Sequence, residues 1–304
     1  MSVRTEAAPG GPPSTVTSVA QRVLVPLAIA NLVANIGIVL TGGVVRLTGS
    51  GLGCPTWPRC TDDSYVPHGS LGIHGAIEFG NRLLTFVLAA VALATFLAAW
   101  RAGRRRAARV AFVIGLGIPA QAVIGGITVL TDLNPWLVAF HLLLSLAMIG
   151  LCVLLLDWLR HPRTSRRHAD PVRRTALATF GVGWVVLYLG TVVTGSGPHA
   201  GDADSPRTGL DPALFSHIHA WAVYALVGLS VVLLVLARRS GDAFLVRAAV
   251  ALIAVELSQG VVGYVQYFTG LPIVLVALHL VGAALTSAAL AWVLVRSRRV
   301  PTPA

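Results

Sequence analysis

Apolar residues fall in long runs along this chain, broken by short polar stretches. Inside the runs they follow no two-residue alternation, so strands are not predicted. Runs of roughly 20 residues are long enough to cross a bilayer as helices. The pattern predicts eight spans, at about 23–45, 71–100, 110–130, 138–158, 175–195, 214–236, 248–268 and 273–295. Residues 1–22 precede the first. Most of that stretch is rich in Pro, Gly, Ser and Thr and lacks the charged start and short apolar core of a signal peptide, so a disordered tail is expected.

Composition agrees with a multi-pass membrane protein. The chain has 304 residues, of which 55% are hydrophobic and 12% charged, with a mean hydropathy of +0.77. A soluble domain carries about twice that charge. All 23 basic residues are arginines, and 19 of them lie at the termini or in the loops Arg101–Arg109, Arg160–Arg174, Arg238–Arg247 and Arg296–Arg299. Only Arg46, Arg59 and Arg207 fall in the alternate loops, 46–70, 131–137, 196–213 and 269–272, while Arg82 is inside a span. By the positive-inside rule the arginine-rich loops and both termini are cytoplasmic. The net charge of +11 therefore reports topology, and no basic soluble face exists for nucleic acid. Cys54 and Cys60 are placed outside, where disulfides persist. Cys152 is mid-span and alone, and reads as a small packing residue.

The chain also repeats itself. QAVIGGITVLTDLNPWLVAFHL (121–142) aligns with QGVVGYVQYFTGLPIVLVALHL (259–280) without gaps at an offset of 138, and ten of the 22 positions are identical. LTGSG (47–51) is echoed by VTGSG (193–197). Four spans per half keep the halves in one orientation, which is a parallel duplication. The expected architecture is an all-α membrane protein with two four-helix bundles related by a pseudo-two-fold axis: 23–158 and 175–295, a basic linker at 159–174, and a cytoplasmic tail at 296–304.

The repeat orders the polar residues inside the spans, which are costly there and so are functional candidates. His141 pairs with His279 at the offset, and Asn81 pairs with His219. The three histidines lie within about two turns of the external ends of spans 4, 6 and 8. Facing histidines in a bundle core are a common way to hold haem iron from both axial sides. Packing is the competing role for any single one of them. His217 is two positions from His219 and points elsewhere, so the repeat favours His219. His68, His161, His168 and His199 sit in loops and are expected to be solvated. On span 2, His74, Glu78 and Asn81 share one helical face, and Arg82 is placed to pair with Glu78. Glu256 on span 7 has no repeat partner and ranks below Glu78.

Taken together, TGGVVRLTGSGLGCPTWPRC, EFGNR, TGSGPHAGD (194–202) and the histidines of spans 4, 6 and 8 resemble the haem A synthase family, over nearly the whole chain beyond about residue 20. The resemblance implies an oxidoreductase of the plasma membrane. The family oxidises a methyl group of haem O to a formyl group by successive hydroxylations, giving haem A for terminal cytochrome oxidase. It implies a cofactor haem b in the C-terminal bundle between His219 and His279, and substrate haem O in the N-terminal bundle with His141 as ligand. It implies Glu78 as the essential acid. Haem O and molecular oxygen are then the substrates, the electron donor is unnamed, and the enzyme that makes haem O is a candidate partner. One position departs from the family pattern: Asn81 stands where a second histidine ligand is expected. An amide is a poor haem-iron ligand, which leaves His141 alone, or with His74 as a less favoured substitute displaced by about 10 Å along the helix. Arg46, Arg59 and Arg207 could pair with propionates, but ordinary loop charges are the favoured reading. Trp57 and Trp136 are expected as interfacial anchors.

Cys54 and Cys60 lack the further ligands a zinc site needs, so a disulfide is expected, as a clamp shaping a lid or, less favoured, as a redox pair. Two other functions compete. A di-haem electron carrier reacting with quinone would share the histidines but not Glu78 or the asymmetry at Asn81. A transporter would rest on the repeat alone, and its usual inverted repeat is absent.

Overall fold

The computed structural model describes residues 15–160, 164–166, 168–298 and 300–301. Among these, eight helices are long and apolar enough to cross a membrane: α1 (Thr15–Leu47), α2 (Gly72–Arg101), α3 (Arg105–Leu130), α4 (Pro135–Arg160), α5 (Asp170–Ser196), α6 (Pro212–Ser240), α7 (Ala243–Phe268) and α8 (Ile273–Ser297). The protein is an all-helical, multi-pass membrane protein. Helices suit this setting because they satisfy every internal backbone donor and acceptor without water. Local signals fix several of the ends. Asp211 caps α6, its carboxylate accepting from the Ala213 and Leu214 N–H groups at 2.8 and 3.4 Å. Asp242 caps α7 in the same way. Gly241 closes α6 with φ +73°, a left-handed conformation that favours glycine.

Most helices run past the hydropathy boundaries. The largest correction is at the start. The expected disordered tail of 1–22 is helical from Thr15, while residues 1–14 lie outside the described residues. Ala20, Leu24 and Ala28 recur at four-residue spacing and are buried in the core, whereas Gln21 and Arg22 face outward. Tertiary packing thus extends the helix beyond its apolar run.

The described parts of the polar segments also make fixed contacts. In the 159–174 linker, α4 runs to Arg160 and α5 begins at Asp170. Between them Thr164–Arg166 pairs antiparallel with Val300–Pro301 of the C-terminal segment. His168, expected to be solvated, is buried and bonds Asp242 at 3.0 Å, while His161 lies outside the described residues. His199 is half-buried, and its Nε2 lies 3.1 Å from the Leu271 carbonyl. His68 is exposed, as expected, beside Asp63. The expected 296–304 tail is corrected at its start: Arg296 lies within α8, is buried in an ion pair with Asp157 at 2.7 Å and lies over the Phe244 ring.

Helices α1–α4 close a ring of neighbour contacts, α1 to α2 to α3 to α4 and back, and α5–α8 close a second. The seam between them is formed by α1 and α4 against α5 and α8. One core holds Ile114, Cys152 and Leu155 of the first ring. The other joins Leu226, Leu252 and Leu290 to Val39, Leu146 and Ile149 from across the seam. Polar ties reinforce it: Ser287 Oγ donates to the Leu146 carbonyl at 2.7 Å, and Arg296–Asp157 joins α8 to α4. Breaking a buried pair from one side leaves an uncompensated charge, at a cost of about 3–5 kcal/mol.

Candidate functional site

Four positions on the even-numbered helices each face a glycine on the helix before. A Cβ on Gly125 of α3 would lie 3.3 Å from the His141 ring, and one on Gly263 of α7 would lie 3.5 Å from His279. A Cβ on Gly190 of α5 would lie 3.4 Å from the His219 ring, and one on Gly42 of α1 would lie 3.9 Å from the Asn81 amide nitrogen. Gly125 and Gly263 are themselves related by the 138-residue offset. These glycines leave room for a planar ring at each histidine. The sequence contained this signal, as the identical fifth residue of the repeat.

The Nδ1 atoms of His141, His219 and His279 are buried without a hydrogen-bond partner among the described residues. The Val186 carbonyl lies near the His219 ring without making a regular hydrogen bond. No hydrogen bond engages these three rings among the described residues, so His219 and His279 are residues that could hold a haem in the second ring. His217 is exposed and packs against Tyr267, while His219 turns inward.

The first ring differs. Asn81 Oδ1 accepts from Thr41 Oγ at 2.8 Å, which turns the amide toward α1. His74 is exposed and held by Ser50 Oγ at 2.9 Å, seven residues from Asn81. Gln121 bridges to the His141 carbonyl and to Ser145 at 3.0 and 2.5 Å, a brace sequence reasoning missed.

Above this ring lies the loop closed by a Cys54–Cys60 disulfide. Glu78 is 5% exposed and joins the loop to α2. Its Oε2 accepts from the Cys54 N–H at 2.7 Å, and its Oε1 accepts from Arg82 Nη2 at 2.5 Å. Arg82 also donates to the carbonyls of Cys54, Thr56 and Arg59, each at 3.1 Å. The expected Glu78–Arg82 pair is present, and it fastens the loop as well as neutralising the acid. The loop presses onto the helix so closely that a Cβ on Gly53 would sit 2.8 Å from the Gly75 nitrogen. Trp57, expected as an interfacial anchor, packs instead against Gly126 of α3, next to the glycine that faces His141. Trp136 is exposed near the start of α4. Glu256 bonds Ser230 Oγ at 2.8 Å inside the second ring.

Residues 26–74 and 72–205 match the COX15-CtaA family, described as cytochrome oxidase assembly protein. The chain belongs to this family. It is similar to a heme A synthase of Geobacillus thermodenitrificans, 31% identical over 140 residues, covering 45% of this chain and 43% of the relative. A heme A synthase of Lysinibacillus sphaericus is 32% identical over 175 residues, covering 55% and 56%. The chain thus spans about half the length of these two relatives. A heme A synthase of Bradyrhizobium is 29% identical over 313 residues, covering 83% of this chain and 84% of the relative. The match to the family covers both the disulfide loop and Glu78.

Proposed function

We propose that this member of the family is a haem A synthase that oxidises the C8 methyl of haem O to a formyl group. The observation that carries the proposal is the asymmetry of the two rings: His219 and His279 stand in one with buried, unbonded Nδ1 atoms, while the other holds His141 and, at the place of a second histidine, Asn81, one turn from Glu78. The family and the names of its relatives support the same chemistry.

In this proposal residues 175–295 are the cofactor bundle, and His219 and His279 hold a haem b. A haem held there would supply electron-transfer chemistry. Residues 23–158 are the substrate bundle. His141 positions the haem O iron from one side. Asn81, a weak donor already engaged by Thr41, leaves the other side free for oxygen. Glu78 lies one turn from Asn81 and moves protons during hydroxylation and loss of water. Arg82 and the Cys54 N–H hold its carboxylate in place, and the loop above excludes water. The Cys54–Cys60 loop faces the outside and both termini face the cytoplasm, by the arginine distribution. A parallel pseudo-two-fold axis would relate the two bundles.

Co-expression of the chain with a source of haem O, followed by pigment extraction, tests the proposal. Haem A is expected only when this chain is present. A di-haem carrier would instead purify with two bis-histidine haems and form no haem A.

The lid is tested separately. Removing the disulfide by Cys54→Ser with Cys60→Ser is expected to lower stability by roughly 2–3 kcal/mol in the chain-entropy view, read by thermal unfolding. Partial activity should remain, since Glu78 and Arg82 still hold the loop by backbone bonds. Complete loss of turnover in stable, haem-loaded protein would make the pair a redox participant.

A further inference from the structure

A second polar site lies at the seam, apart from Glu78. A pocket of about 210 Å³ is lined by Arg46, His199, Asp202 and Arg207, among others. Arg46 stands in the last turn of α1. One turn below it, Gly43 packs against Leu280, the residue after His279. Arg46 Nε donates to the His199 carbonyl at 2.5 Å and Nη2 to the Thr194 carbonyl at 2.8 Å. Arg207 Nη1 donates to the Ser205 carbonyl at 2.7 Å and Nη2 to the Pro198 carbonyl at 2.8 Å. All four acceptors are backbone carbonyls. Among the described residues neither guanidinium forms an ion pair with a carboxylate.

Asp202, the acid on the lining, engages the Asp204 N–H at 3.0 Å instead. Arg46 and Arg207 are both half-buried, and their charges oppose each other across the pocket. Two like charges held this way are unfavourable until an anion joins them. The geometry is preorganised for one. Each guanidinium is pinned from behind, leaving Arg46 Nη1 and Arg207 Nε without a hydrogen bond among the described residues. Guanidinium pairs are well matched to carboxylates in both charge and planarity. Arg59 is a different case, since it is exposed, bonded to the Asp62 carbonyl and lying over Tyr65.

We infer that this pocket is a carboxylate-binding site formed by Arg46 and Arg207 between the two rings. The carboxylate has two possible sources: a propionate of a haem held beside His279, or a small free carboxylate from the water phase. The propionate source rests on the haem assignment proposed above; the pocket does not.

The full-length protein, purified from haem-limited cells, is titrated with protohaem and with protohaem dimethyl ester, which lacks both carboxylates. If a propionate fills the pocket, wild-type protein binds the ester about tenfold more weakly or worse, the scale of a lost charge-assisted hydrogen bond. Arg46→Gln and Arg207→Gln then bind the two haems alike. Their bound protohaem also has a lower reduction potential, because an unpaired propionate favours ferric iron. The ester arm uses unaltered protein, so a folding defect in either variant does not confound it. If the source is a free carboxylate, the two haems bind wild type equally, and millimolar acetate raises the melting temperature of wild type but not of Arg46→Gln. Equal binding of both haems with no acetate effect overturns the inference. Protein that takes up no haem would overturn the haem assignment instead, and the acetate arm would still decide the pocket.

Discussion

Glu78→Gln is expected to abolish haem A formation while leaving the protein folded and its haem content unchanged. Glutamine keeps an oxygen acceptor for the Cys54 N–H, and Arg82 keeps its bonds to the carbonyls of Cys54, Thr56 and Arg59. The loop therefore stays closed, and only the transferable proton and the charge are lost. A positioned acid–base group contributes about 10² to 10⁴ in rate, so turnover should fall by at least about a hundredfold. Pigment extraction from membranes measures haem A, and the haem spectrum of the purified protein reports folding. Glu78→Ala is a less clean variant, because it also removes the acceptor that ties Cys54 to α2. A Glu78→Gln protein that makes haem A at the normal rate would reduce Glu78 to a fastener of the loop.

The dual position of Glu78 also shows where sequence reasoning reached and where it stopped. Helix number was legible, because a membrane demands long apolar runs. The inward turn of His219 rather than His217 followed from repeat register. The Glu78–Arg82 pair followed from i,i+4 spacing. The bonds from Arg82 to three loop carbonyls did not, since they depend on how residues 54–59 fold over α2, and no local pattern encodes a backbone carbonyl as a partner. Arg296 escaped for a related reason. It was placed in a cytoplasmic tail, and only the meeting of α4 and α8 buries it against Asp157. His168 was misread as solvated on the same ground, its partner Asp242 being 74 residues away. Local periodicity gives which face of a helix turns inward, but pairing across a seam requires the tertiary arrangement.

The larger test concerns the second ring. His279→Ala is expected to convert the low-spin, bis-histidine spectrum of the purified protein to a high-spin one and to cut haem occupancy at least about tenfold, since changes merely behind a ligand already cost 10–100-fold in metal affinity. His219→Ala should behave alike, because the two rings share a buried, unpartnered Nδ1 and a flanking glycine. The decisive contrast is His141→Ala. In the proposed division of labour it should leave the low-spin spectrum intact and abolish haem A formation, because His141 serves the substrate ring alone. A carrier with two equivalent haems would lose about half its low-spin signal in either variant. An unchanged spectrum in His279→Ala would remove that residue from the ligand set and, with it, the reason for assigning the cofactor to the C-terminal ring. Filling the space beside the ring rather than removing a ligand gives an independent check. Gly263→Val places a branched side chain against the His279 ring, where even a Cβ would lie 3.5 Å away. It should perturb the spectrum in the same direction with every histidine still present.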